Sequence, residues 1–341
     1  MSFRVEDLVE DNAEQWTSLN VADSGGSFFH TLKWKRVIQE SFGTKTHYFL
    51  VKNGMDAIAL CPFCEIGIGR FQGLGLLPDS DYNNIVISRK YAKILAPLIL
   101  AKCREILRMN RLSFVLVTAK DEMVSDSLQD LDSLSYPSGG NMVLDLSRLE
   151  PDAIWNSVFT KKGGQRKFIR RFEEEGFAIK EVQSRKELQT FYKHYADNLT
   201  YIGGAPYPFA HFEKLVDQYS SNELRIVLLH KEDTVAGGLL LFLHAPRKTV
   251  HLRYLALNRT LPNKYHAPYF LYWDAIKYAN AIGYQRVSFG STPCDPADEN
   301  YRIKERFGCQ YESLLSHMFP QSFVFGIGYR LYLIRRGIFG R

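Results

Sequence analysis

The sequence predicts an α/β (α+β) chain of two domains, each a mixed twisted sheet flanked by helices. Three observations carry this. The 341 residues exceed what one core usually organises. Apolar runs of period two alternate with stretches of helical period. The strand-and-helix pattern also starts afresh near residue 150, so the expected domains are 1–150 and 151–341. Composition agrees, with 45% hydrophobic and 23% charged residues.

In the first half, LKWKRVIQESFG has helical spacing and a glycine stop. THYFLVKN (46–53) and AIALCPFCEI (57–66) read as paired strands turning at Asn53-Gly54. YAKILAPLILAKCREILRMN (91–110) is an amphipathic helix with Pro97 near its first turns. RLSFVLVTAK is a buried strand, NMVLDLS (141–147) another, and the stretch between them a short helix and a loop.

The second half opens with helices PDAIWNSVF, QRKFIRRFEEE, KELQTFYKHYADNL and PFAHFEKLVDQYS, with strand FAIKEV between the second and third. Residues 223–257 give three strands joined by KED and APRK. APYFLYWDAIKYANAIG is a long helix, YQRVSFG the next strand, and ESLLSHMF a final strand-like stretch. There is no low-complexity segment and no short repeat.

Lys+Arg exceed Asp+Glu by 43 − 37 = 6, which permits a polyanionic partner without demanding one. The polar, acidic N-terminus lacks a signal-peptide core, and the apolar stretches are too short to span a bilayer. Five cysteines in such a chain fit a reduced, cytoplasmic setting. CPFC (61–64) has neither a helix start for redox work nor further ligands for zinc, so it reads as two small buried residues. No H-E-x-x-H, G-x-S-x-G or Walker loop occurs; no metal site is expected, and covalent serine catalysis has no support.

Two segments look functional. QRKFIRRFEEE would place Arg166, Lys167, Arg170 and Arg171 in the first turns of a helix and its acids in the last, against the helix dipole. Cations beside free N–H groups make an anion site, although a solvated face fits the same residues. The turn 258–268 joins a strand to a long helix, where GNAT folds cradle the coenzyme A pyrophosphate in a glycine-rich nest. This turn has no glycine; it carries Tyr265, His266, Pro268 and, just beyond, Tyr269. These rings could stack on a base or sugar, or close the core.

KKGGQRKFIRRFEEEGFAI, ELQTFYKHY, LPNKYHAPYFLYWDAIKYA, IGYQRVSFGST and ENYRIKERFG occur in an order that resembles the Fem family of aminoacyltransferases, FemAB-like members of the GNAT superfamily. FFHTLKWKRVIQESFG and LGLLPDSDYNN extend the resemblance over nearly the whole chain. It implies two GNAT-like domains with a cleft between them. It also implies transfer of an amino acid from aminoacyl-tRNA to an amine of a peptidoglycan precursor or related cell-envelope acceptor, without a metal, cofactor or covalent intermediate. The family's Y-x-F-K-x-x-F motif falls on Tyr301 to Phe307 and makes Lys304 the key cation; Arg36 matches a diphosphate contact. Ala205 stands where some members carry arginine, and the coiled-coil arm of larger members is absent.

On this reading Lys304 faces inward and opposes charge on the ester carbonyl or contacts the donor's terminal phosphate, while Arg302 and Arg306 face outward; a solvated basic turn is the alternative. Arg36, Arg166, Lys167, Arg170, Arg171, Tyr265, Tyr269 and Tyr301 would bind substrate. The tail GYRLYLIRRGIFGR either lies on an anionic membrane or docks as a last helix on its own domain. Two rivals stay open: an acyl-CoA-dependent N-acyltransferase of polysaccharide or cell-surface biosynthesis, and a non-catalytic RNA-binding protein.

Overall fold

The computed structural model describes residues 2–335 except 76, 83–84, 160–163 and 263–264. The chain divides into two compact units, Met1–Gly140 with Glu312–Arg341, and Asn141–Tyr311. The expected boundary at 150 therefore moves, and the last segment belongs with the first unit rather than the second.

The first unit contains β1 (Phe3–Asp7), α1 (Ala13–Ala22), α2 (Leu32–Phe42), β2 (Thr46–Asn53), β3 (Asp56–Ile68), β4 (Phe71–Gly75) and β5 (Val86–Ile87). It continues with α3 (Ala92–Asn110), β6 (Phe114–Ala119), α4 (Glu122–Gln129) and the start of β7 (Leu134–Asp145). From the end of the chain it takes most of β13 (Gln310–Pro320) and all of α11 (Phe323–Arg335). The strand order is β1-β2-β3-β4-β6-β13. Antiparallel ladders join β1 to β4, β4 runs parallel to β6 at Leu74–Val115, and β13 returns antiparallel from Leu315–Ala119 to Pro320–Phe114.

Strand alternation explains why the tail belongs here. Val115, Val117 and Ala119 of β6 join the core under α3, while Phe114 and Leu116 face the opposite core with Met318, Phe325, Tyr329 and Leu333. Both faces of β6 are thus covered, and α11 is the cover on one of them.

The second unit holds the end of β7, α5 (Pro151–Ala153), α6 (Gln165–Glu174), β8 (Ala178–Glu181), α7 (Arg185–Tyr201) and α8 (Phe209–Gln218). There follow β9 (Leu224–Lys231), β10 (Thr234–His244), β11 (Thr249–Leu257), α9 (Ala267–Ala281), β12 (Arg286–Thr292) and α10 (Glu299–Glu305). Strands run in the order β7-β12-β11-β10-β9-β8. The meander β9–β10–β11 is antiparallel, and α9 crosses over to place β12 parallel to β11. The predicted meander and crossover are present.

Several local expectations change. PDAIWNSVF is not one helix: after α5, Ile154–Val158 form a π-type turn. The loop expected at 134–140 is the first half of β7, despite Pro137 and Gly139, because Ser138 and its neighbours lie along β13. β1, α1, β4 and β5 were not foreseen.

Candidate functional site

β11 and β12 pair only at Thr249–Arg286, Val250–Val287 and His251–Ser288, although both strands continue, to Leu257 and Thr292. The parting has a cause on β11. Leu241 of β10 faces Leu252 and Leu240 faces Tyr254, so Arg253 is an extra, bulged residue. A bulge bends its strand and ends regular pairing. The C-terminal halves of two parallel neighbours thus part company, which is where α/β sheets place their ligands.

Lys304 stands at the end of β12. Its Nζ donates to Thr292 Oγ1 at 2.8 Å and the Ser291 carbonyl at 2.9 Å, and lies 3.5 Å from the Gly290 carbonyl. The side chain is half-buried and turned onto the strand end, not extended into solvent. Its carrier, α10, is short, and Asp298 fixes its start by accepting from the Asn300 and Tyr301 N–H groups. Phe307 anchors the other end, fully buried against Phe159, Tyr269, Tyr272 and Phe289.

Around Phe307 a second group assembles. Tyr269 on α9 stacks between Phe168 of α6 (5.3 Å) and Phe307 (5.8 Å), and its hydroxyl lies 3.3 Å from Arg306 Nη1. Gln165 donates to the Arg306 carbonyl at 3.2 Å, and its other amide atom, Oε1, is buried with no partner. Arg302 and Arg306 are exposed as expected, but Arg306 also reaches Tyr269. Sequence reasoning missed Arg306, Gln165 and Thr292. Their contacts come from the packing of α6, α9, α10 and β12, and no motif signals them.

The four cations of α6 have different surroundings. Arg166 Nη2 donates to the carbonyls of Phe159 (2.7 Å) and Asn156 (3.1 Å), closing the π-type turn. Arg170 lies over the Trp155 ring at 5.6 Å. Lys167 is exposed; Arg171 stands near His266, whose pKa is lowered by burial first and by that charge second. Tyr265 donates a hydrogen bond to the Glu175 carboxylate. Tyr301 lies half-buried, 5.7 Å from Tyr311, whose hydroxyl is pushed up to about 12 by burial. Arg36 lies in the first unit on α2, exposed, two residues after buried Trp34, whose indole N–H donates to Ser80 at 2.7 Å.

A pocket of ≈ 420 Å³ adjoins the turn from β11 to α9, with Tyr201, Asn258, Arg259, Tyr265 and His266 among its walls. Arg259 is committed there, donating to Asn198 Oδ1 from both Nε and Nη2 and lying 4.5 Å from the Tyr201 ring. Residues 258–268 contain no glycine, the residue that most easily lets a backbone nest approach a pyrophosphate. Among the described residues no three histidine, cysteine or acidic side chains gather as a metal site would require. The expected reading of CPFC holds in so far as Cys61 and Cys64 are buried.

The parted strands, the crossover helix between them and the lysine at the strand end together describe one architecture. The chain is built on the GNAT fold. Residues 162–302 match the family model described as an acetyltransferase (GNAT) domain. Among solved structures the chain is similar to FemX, at 12% identity and TM-score 0.69, over 93% of this chain and 97% of that one. It is similar also to L-PGS from Bacillus licheniformis, at 14% identity and TM-score 0.61, over 98% and 99% of the two chains. A tandem GNAT protein from the clavulanic acid biosynthesis pathway matches at 11% and TM-score 0.61, over 94% and 99%. No curated protein matches the sequence. The likeness to Fem proteins anticipated from the sequence therefore stands at the level of fold.

Proposed function

We propose that this GNAT-fold chain is an aminoacyltransferase. It would move an aminoacyl group from aminoacyl-tRNA to an amine of a peptidoglycan precursor or related cell-envelope acceptor. The observation that carries the reading is Lys304, an ammonium held at the end of β12 beside parted strands, and the glycine-free sequence of 258–268 supports it. In the reaction the acceptor nitrogen bonds to the ester carbonyl carbon. The bond from that carbon to the ribose oxygen breaks, and this oxygen takes the proton the amine gives up. The ester is already activated, so alignment supplies several kcal/mol and a positive charge near the developing oxyanion about 3 kcal/mol more. Lys304 is proposed for that charge. Tyr269 and Arg306, held together, are proposed to orient the donor.

The family match and the pocket beside α9 favour a second reading, an acyl-CoA-dependent N-acyltransferase. One experiment separates them. The full chain is incubated with charged tRNA or with acetyl-CoA, each with a panel of amine acceptors, and acceptor mass is measured. A mass gain with charged tRNA alone supports the proposal. Transfer from acetyl-CoA, with calorimetric binding of that cofactor, replaces it with the second reading.

A further inference from the structure

Helix α11 is apolar on two opposite sides. One side, Phe325, Gly326, Tyr329 and Leu333, is buried on the first unit's sheet. The other carries Phe323, Val324, Ile327, Leu331 and Ile334, with Phe323 82% and Leu331 61% exposed. At about 100° per residue these five occupy a sector ~100° wide. Arg330 lies at one edge of that sector and Arg335 at the other, both exposed. A helix apolar all round is normally covered all round. This one has a bare side framed by cations.

From this geometry we infer that α11 is an interfacial helix that seats the protein on an anionic phospholipid surface. The 13 described residues of α11 are too few to cross a bilayer, and no helix among the described residues is long and apolar enough to do so. An apolar sector flanked by arginines is instead the pattern of a helix lying in the headgroup plane, with the guanidinium groups reaching out to phosphates. The charge is one-sided: residues 323–341 contain four arginines and no acid. A second copy of the same face would set arginines against arginines, whereas a lipid surface rich in phosphate complements them. A groove of ≈ 430 Å³ beside the helix continues the pattern, with Arg104 and Arg330 against the single acid Asp132, next to Phe323 and Ile327. The inference is independent of the acyl-transfer reading, since it concerns where the protein sits and not what it transfers.

The test is flotation of the full chain with vesicles of phosphatidylcholine alone, or of phosphatidylcholine mixed with phosphatidylglycerol. Retention on the mixed vesicles only, weakened by salt, is expected. Neutralising one arginine, Arg330→Gln or Arg335→Gln, lowers the partition about fivefold, and both together ~25-fold. Phe323→Ser with Leu331→Asp abolishes it. Should that pair lower Tm, the arginine variants, changed only at exposed positions, still decide. The inference is overturned by no retention on mixed vesicles, by retention that ignores the arginine variants, or by a mass that doubles with concentration in light scattering and reverts in Leu331→Asp.

Discussion

Lys304 has contacts that serve structure and a charge that can serve chemistry, and substitution distinguishes the two. Lys304→Ala removes hydrogen bonds to Ser291 and Thr292 at a half-exposed strand end, so a stability loss of about 1 kcal/mol is expected. The proposed role requires more: kcat about a hundredfold lower with KM little changed, read by the acceptor-mass assay. A loss of stability alone would leave the lysine as a strap across the end of β12. Buried histidines govern a different property. Burial lowers His211 and His317 to about 4 and His251 to about 3, so all three are neutral in the folded protein. Their folded pKa lies below the unfolded value near 6.5. The stability they confer is therefore complete above that value and is lost as pH falls towards 4, because only the unfolded chain takes up protons. Between pH 7 and 5 each costs about 2 kcal/mol, a fall that urea titrations at the two pH values would measure. An unchanged midpoint would show that these side chains have access to solvent protons when folded.

Elements decide whether such residues are in place. The Asp298 carboxylate caps the start of α10 by accepting two N–H groups. Asp298→Ala should cost about 1 kcal/mol, concentrated in this short helix. Amide exchange across 299–305 should quicken, and activity should fall in parallel although no ligand contact has changed. The meander is tighter. A side chain at Gly238 would meet the Val227 carbonyl at 2.6 Å and the Phe191 ring at 2.8 Å. Gly238→Val is therefore expected to cost about 3 kcal/mol or unfold the second unit, as its thermal midpoint would show. The same element shows what the sequence could convey. β9, β10 and β11 were legible because long apolar runs are punctuated by turn residues at 231–233 and 245–248. β7 was not, since Pro137, Gly139 and Gly140 spell a loop locally and only the neighbouring β13 makes a strand of them. Lys304 entered as a candidate through its motif. Arg306, Gln165 and Thr292 were not, because they meet only after four elements pack. The partners of the α6 cations were not legible for a related reason: charge order along a helix does not tell which carbonyls or rings an arginine will find, and Arg166 found Phe159 and Asn156.

At the scale of the whole chain, the informative feature is the return of the last segment to the first unit. A linear reading gave residues 151–341 to one domain, as a pattern restarting at 150 suggests. Pairing of β13 with β6, and the burial of Phe325, Tyr329 and Leu333 over Phe114 and Met318, assign the segment otherwise. The difference has a measurable consequence. Removing residues 312–341 strips β6 of its antiparallel partner and uncovers Phe114 and Leu116 while leaving the second unit's core of α6, α9 and the meander untouched. The linear reading assigns the damage to the second unit; the observed pairing assigns it to the first. Hydrogen exchange followed by peptide mapping decides between them. Protection should collapse in 46–53, 57–68 and 114–119 and persist in 224–257 and 267–281. Exposed strand edges aggregate, so the truncated chain should also precipitate at concentrations where the full chain stays dispersed. If protection is lost in 224–257 instead, the tail stabilises the second unit, and the pairing of β13 with β6 contributes less than its buried aromatic rings imply.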